Sequence, residues 1–276
     1  MIHLRPFPFV DPQLIAMLQD LRITLIQSPL HWEDIPANLA AFGERLQRIS
    51  PGSTDLIVLP ETFTTGFSMH TPELAEDETG PSLAWMRVMA SEKRAVVTGS
   101  LIFREGERYF NRLLWVRPDG THAHYDKRHC FTLAGEHEHF SPGRERLVVD
   151  CRGWRICPLI CYDLRFPVWS RYRGDYDALL YIANWPSARS AAWRTLLRGR
   201  AIENQCYVLG VNRVGTDEKG LYYSGDSAVI DYAGETLYEL RHLEGQISLQ
   251  ISAEAQQNFR KKLAFLADRD EFEWKV

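Results

Sequence analysis

Short apolar runs alternate with longer segments in which apolar residues recur at every third or fourth position, so the chain reads as strands interleaved with helices. A strand is predicted over 22–27 and a helix over 37–49, followed by a strand that carries the apolar run of residues 56–59 into Pro60 and Glu61. Residues 82–94 read as a helix and 95–103 as a strand. Strands over 110–116 and 121–126 then pair through the turn 117–120, whose Pro-Asp-Gly sequence suits a tight reversal. The second half repeats the rhythm, with a strand over 154–161, a short helix after Pro167, a strand over 178–183, a helix over 188–205 and a strand over 207–212. A hairpin of 227–231 with 235–240 turns around Tyr232, Ala233 and Gly234, and 246–251 closes the sheet. Two αβ halves of similar order predict one domain with internal pseudo-symmetry, not two domains on a linker.

A length of 276 residues is enough for a sizeable core, and the formal net charge of −4, with acids and bases interspersed, leaves no electrostatic footprint for nucleic acid or an anionic membrane. The expected partner is a small molecule. Five cysteines, at positions 130, 151, 157, 161 and 206, do not make an even disulfide framework and point to a reducing, cytoplasmic setting. A zinc site would need a second cysteine pair beside Cys157 and Cys161, and none is spaced for it, so no metal is expected. Residues 1–20 are broken by prolines, carry no apolar stretch long enough for a signal peptide, and read as an N-terminal extension. No segment is long and apolar enough to span a membrane.

The chemistry stands at strand ends. The run Trp154-Arg-Ile-Cys-Pro-Leu-Ile stops at Cys161 and is followed by Tyr162 and Asp163; the run at 56–59 stops at Glu61; the more polar strand over 122–126 stops at Lys127. A thiol, a carboxylate and an ammonium thus share one kind of position. Longer motifs surround them: Pro60-Glu61-Thr-Phe-Thr-Thr-Gly66-Phe67, Tyr125-Asp-Lys-Arg-His129, Gly135-Glu136 with Phe140 and Gly143, and Cys161-Tyr-Asp-Leu-Arg-Phe-Pro167.

Over roughly residues 21–270 these motifs, in this order, resemble the Glu-Lys-Cys signature of the nitrilase superfamily of carbon-nitrogen hydrolases. Asn184-Trp-Pro186 and Arg200-Ala-Ile-Glu-Asn-Gln205 resemble the bacterial omega-amidase branch. The resemblance implies an α/β fold of the four-layer α-β-β-α sandwich type, with residues 271–276 as a C-terminal tail. It implies Cys161 as nucleophile, Glu61 as base and Lys127 as cation for the oxyanion, with Glu136 orienting the lysine or the attacking water. A thiol is easily activated by a neighbouring base, and the apolar run before Glu61 supplies the partial burial that strengthens a carboxylate for this task. The backbone N–H of Tyr162 is the natural second oxyanion donor.

Around this centre Phe67 and Trp185 are expected as pocket walls and Arg128, Arg165 and Arg189 as candidates for a substrate carboxylate. Asp163 and Arg165 are expected to fix the turn after Cys161 by an ion pair or hydrogen bonds, with contact between Arg165 and substrate as the alternative. His129, His137 and His139 read as surface groups, and the other four cysteines as core or strand residues. No phosphate-binding glycine loop is present, so no nucleotide and no cofactor are expected. Cys-Tyr-Asp, where nitrile-hydrolysing members carry Cys-Trp-Glu, favours amides over nitriles. The resemblance therefore implies an omega-amidase acting on the terminal amide of 2-oxoglutaramate or 2-oxosuccinamate, the alternatives being an N-carbamoyl amine or amino acid hydrolase or a general aliphatic amidase. A catalytically silent scaffold is disfavoured because all three positions are filled. It also implies a homodimer or higher oligomer through the helix 188–205, with the tail crossing onto the partner.

Overall fold

A computed structural model describes residues 19–273; most of the extension 1–20 and residues 274–276 of the tail lie outside the described residues. Two mixed sheets pack face to face with helices on their outer sides. The first sheet has the order β13-β1-β2-β3-β4-β5, from β1 (Leu21–Gln27), β2 (Leu56–Val58), β3 (Val96–Glu105), β4 (Arg108–Val116), β5 (His122–Asp126) and β13 (Gly245–Ile251). The second has the order β10-β11-β9-β8-β7-β6, from β6 (Val149–Cys151), β7 (Trp154–Ile160), β8 (Ala178–Ala183), β9 (Tyr207–Asn212), β10 (Val214–Thr216) and β11 (Tyr222–Ile230), with β12 (Thr236–Arg241) also on β11.

Pseudo-symmetry is visible in the pairing. In each sheet three parallel strands, β1-β2-β3 and β7-β8-β9, continue into antiparallel ones on one side and carry a single antiparallel strand on the other. The predicted closing strand, however, does not extend the second sheet. β13 returns to the first and pairs with β1, Leu21 opposite Ile251, because its alternating apolar residues Ile247 and Ile251 complete the core beside Leu21, Ile23 and Leu25.

Side-chain alternation explains the layers. Leu56 and Val58 of β2 point between the sheets, whereas Ile57 and Leu59 face the helices Ile35–Gln47 and Pro81–Lys93, meeting Phe42, Leu46, Leu83 and Met86. The second sheet is covered by the helix Ser190–Asn204, which buries Trp193, Leu197 and Ala201. Asp34 caps the first helix by accepting the N–H of Ala37, and the helix starts two residues earlier than its apolar pattern suggests because Pro36 is accommodated in its first turn. Parallel strands buried on both faces end at one edge of the sandwich, and polar residues leaving those ends converge. No helix among the described residues is long and apolar enough to cross a membrane.

Candidate active site

Glu61, Lys127 and Cys161, read from three separate strand ends, come together. Glu61 follows β2, Lys127 follows β5 and Cys161 follows β7; Glu136 joins them from the first position of a short helix, Glu136–His139. Lys127 Nζ donates to Glu61 Oε1 at 2.9 Å and to Glu136 Oε1 at 2.9 Å, and all three side chains are at most 1% exposed. Two further residues complete this network, neither of them anticipated as a site residue. Asn111, from β4, donates through Nδ2 to Glu61 Oε1 at 2.8 Å. Asn184, at the end of β8, donates its backbone N–H to Glu61 Oε2 at 2.6 Å and its carboxamide to Glu61 O at 2.7 Å. The available signal for Asn184 was the same as for Glu61 and Cys161, a polar residue directly after a buried strand.

Backbone geometry holds these groups in place. Cys161 adopts φ +45° and Thr62, beside Glu61, φ +39°, a region that non-glycine residues avoid and β-branched ones most of all. Gly143 donates its N–H to Lys127 O at 2.9 Å and lies so close that a Cβ there would sit 2.0 Å from Asp126 O, so only glycine lets this loop brace the lysine. Asp163 stitches the Cys161 turn to the Lys127 segment. Its Oδ2 accepts the Tyr125 hydroxyl at 2.7 Å and the N–H of Ile160 at 3.0 Å, while its Oδ1 accepts the N–H of His129 at 3.0 Å and faces His129 Nδ1 at 2.7 Å.

That bonding corrects two expectations. Asp163 does fix the turn by hydrogen bonds, but it has no ion pair with Arg165, since its lone pairs are taken by these donors. His129 is no surface group: its ring stacks on Phe166 with centroids 3.8 Å apart. Cys151, Cys157 and Cys206 are buried, as expected, but Cys130 is half-buried in a loop with its thiol toward Phe140 O.

Electrostatics set the resting proton positions. Burial pushes the Cys161 thiol well above the ordinary range, with Glu61 and Glu136 adding to the rise and Lys127 opposing it. Burial alone would weaken the hold of Lys127 on its proton, but Glu136 and Glu61 outweigh it, so the ammonium is held well above its usual range. Burial likewise raises Glu136, against the pull of Lys127 and with the help of Glu61. The site therefore holds a neutral thiol next to a lysine that stays charged.

These groups open into a pocket of about 520 Å³, counted out to its mouth. Phe67, Tyr162, Trp185, Arg165 and Arg189 line it, together with Leu221 and Tyr223 of β11 and the turn before it, which the sequence did not mark. Lys127 Nζ stands 5.0 Å from the centre of the Phe67 ring. Arg128 does not reach the pocket: its guanidinium donates to Gly143 O at 3.0 Å and lies over Trp169. A backbone carbonyl has claimed it.

The carbon-nitrogen hydrolase pattern matches residues 22–261. The chain belongs to the carbon-nitrogen hydrolase family. Among similar members, the omega-amidase YafV of Yersinia enterocolitica is 47% identical over 256 residues, 92% of this chain and 99% of that one. The 2-oxoglutaramate amidase of Bacillus subtilis is 35% identical over 213 residues, 74% of this chain and 82% of that one. A carbon-nitrogen hydrolase superfamily protein of Xanthomonas campestris, solved with an arsenic adduct in its active site, superposes with a TM-score of 0.90 at 47% identity, covering 92% of this chain and 99% of that one. The amidase from Nesterenkonia sp. AN1, in which acrylamide has added to the active-site cysteine, superposes with a TM-score of 0.77 at 26% identity, covering 89% and 99%. As a carbon-nitrogen hydrolase with these relatives, the protein is an amidase, and its α/β sandwich is the fold of the nitrilase superfamily.

Proposed function

We propose that the protein hydrolyses the terminal amide of short 2-oxo dicarboxylic acid monoamides, 2-oxoglutaramate and 2-oxosuccinamate among them, through a thioester on Cys161. The observation that carries this reading is the bonding of Lys127. An ammonium has three N–H donors, and two are spent on Glu61 and Glu136. The third is left beside the nucleophile, where an oxyanion would form.

Catalysis then proceeds in two halves. The Cys161 sulfur attacks the amide carbon while its proton passes to Glu61, which suits a thiol that burial keeps protonated at rest. The oxyanion is met by Lys127 Nζ and the backbone N–H of Tyr162. Glu61 returns the proton to the leaving nitrogen, the C–N bond breaks and ammonia departs. Water, deprotonated by Glu61, attacks the thioester; the C–S bond breaks and the sulfur recovers its proton. Glu136 holds the lysine between the two carboxylates throughout.

The choice of 2-oxo acid amides is supported by the omega-amidase and 2-oxoglutaramate amidase relatives. Ammonia release from 2-oxosuccinamate, butyramide, an N-carbamoyl amino acid and a short nitrile tests it. The highest kcat/KM is expected on 2-oxosuccinamate. A preference for the carbamoyl compound or for butyramide would replace this reading with one of the alternatives named above.

A further inference from the structure

Two guanidinium groups share the active-site pocket with the nucleophile, and neither has an acceptor. Arg165 ends the turn Cys161–Arg165, and Arg189 ends the turn Ser187–Arg189. Both are half-buried and both line the pocket. Several other half-buried arginines are engaged: Arg128 with Gly143 O, Arg171 with Glu203 O and Arg260 with Gln205 O. Among the described residues no carboxylate or carbonyl oxygen lies within hydrogen-bond distance of either pocket guanidinium, leaving five N–H donors on each unused.

Aromatic faces hold them instead. The Arg165 guanidinium lies 4.8 Å from the centre of the Trp185 ring and that of Arg189 lies 5.3 Å from the Phe131 ring. Stacking occupies the flat face of a guanidinium and leaves its N–H edges free for in-plane hydrogen bonds, the geometry that suits a carboxylate. Both supports are tied to the catalytic network. Trp185 Nε1 donates to Arg189 O at 2.8 Å, which couples the two platforms, and the Phe131 N–H donates to Glu136 Oε2. The arginines are thereby held in register with Lys127 and Cys161. By formal count the two carboxylates Glu61 and Glu136 face the three cationic side chains Lys127, Arg165 and Arg189, one positive group in excess, which a monoanion would match.

We infer that Arg165 and Arg189 form a carboxylate subsite that grips the acid end of the substrate while its amide end lies against Cys161. The inference rests on the amidase reading above and names what selects the substrate. A site built to pair a carboxylate rejects a neutral analogue because its desolvated donors are then left unpaired.

The test is the ratio of kcat/KM for 2-oxosuccinamate to that for butyramide, measured for the natural protein, for Arg165→Met, for Arg189→Met and for the double variant. Each single substitution is expected to lower this ratio by about 100-fold, mainly through KM on the anionic amide. Arg189→Lys should recover part of the loss by restoring charge without the fork. A natural enzyme that shows no preference for the anionic amide refutes the substrate assignment itself. If that preference exists and survives within threefold in the double variant, or if the variants lose both substrates equally, the carboxylate subsite is refuted and the amidase reading stands.

Discussion

Replacing Lys127 by methionine should separate two consequences of one charge. Each Nζ to carboxylate contact is 2.9 Å. At an effective dielectric constant of about 20 each is worth about 6 kcal/mol of attraction, against a desolvation cost of several kcal/mol for each of the three buried ions. The intact cluster therefore adds little net stability, but its broken form is costly. Without the ammonium, Glu61 and Glu136, both wholly buried, face each other across Asn111, and Lys127→Met should lose about 3–5 kcal/mol in urea unfolding at pH 7. Glu136 is already raised by burial and by Glu61, and removing the opposing lysine raises it further. A carboxylate whose folded pKa is raised contributes stability below its unfolded pKa and loses it as pH rises through the folded one, so the deficit should shrink on going from pH 7 to pH 5. Adding Glu136→Gln removes one of the two uncompensated charges and with it their mutual repulsion, and should restore more than half of the lost stability. Ammonia release should fall at least about 100-fold in Lys127→Met and stay there in the double variant, because the oxyanion donor is gone from both. Equal stability of Lys127→Met and the natural protein, or no recovery in the double variant, would refute the electrostatic account; activity within tenfold of normal would refute the oxyanion role.

Two other outcomes follow from buried ionisable groups. Because the Cys161 thiol is held well above the usual range by burial and by Glu61 and Glu136, its alkylation by iodoacetamide, followed by mass spectrometry, should accelerate with pH past 9 without levelling off; a plateau near pH 7 would mean a resting thiolate. Arg213 is 1% exposed, packs against the Tyr223 ring, has no partner for Nε or Nη2, and is lowered by burial, so Arg213→Met should unfold at an equal or higher urea concentration. A loss above about 2 kcal/mol would show that the charge is compensated in the folded protein.

The candidate catalytic residues were legible because Glu61 and Cys161 each follow a run of buried strand and Lys127 ends the more polar β5, and because the longer motifs around them resemble those of the superfamily. What sequence could not decide was which of several arginines stays free. Arg128 stands beside Lys127 but is captured by Gly143 O, fifteen positions away, whereas Arg165 is free because Asp163 is filled by Tyr125, His129 and a backbone N–H. Such competition among acceptors is a property of three-dimensional neighbours. Asn111 was hidden for the opposite reason: it sits within the apolar strand β4, where an asparagine reads as an exception to the pattern and not as a hydrogen-bond donor to Glu61. The return of β13 to β1 was equally out of reach, since alternation identifies a strand but not which sheet edge it will find.

That return has a consequence for the chain while it is being made. Thr24 and Ser248 share a hydrogen bond across 224 positions of sequence, so at about 5–20 residues per second β1 waits roughly 10–45 s for its outer neighbour to be synthesised. For that interval the nascent first sheet presents an open edge, a ready template for pairing with another unfinished chain. A message truncated before residue 245 would yield a polypeptide with Glu61, Lys127, Glu136 and Cys161 and no way to cover that edge. Synthesis of the last strand is what turns a sticky intermediate into a closed molecule.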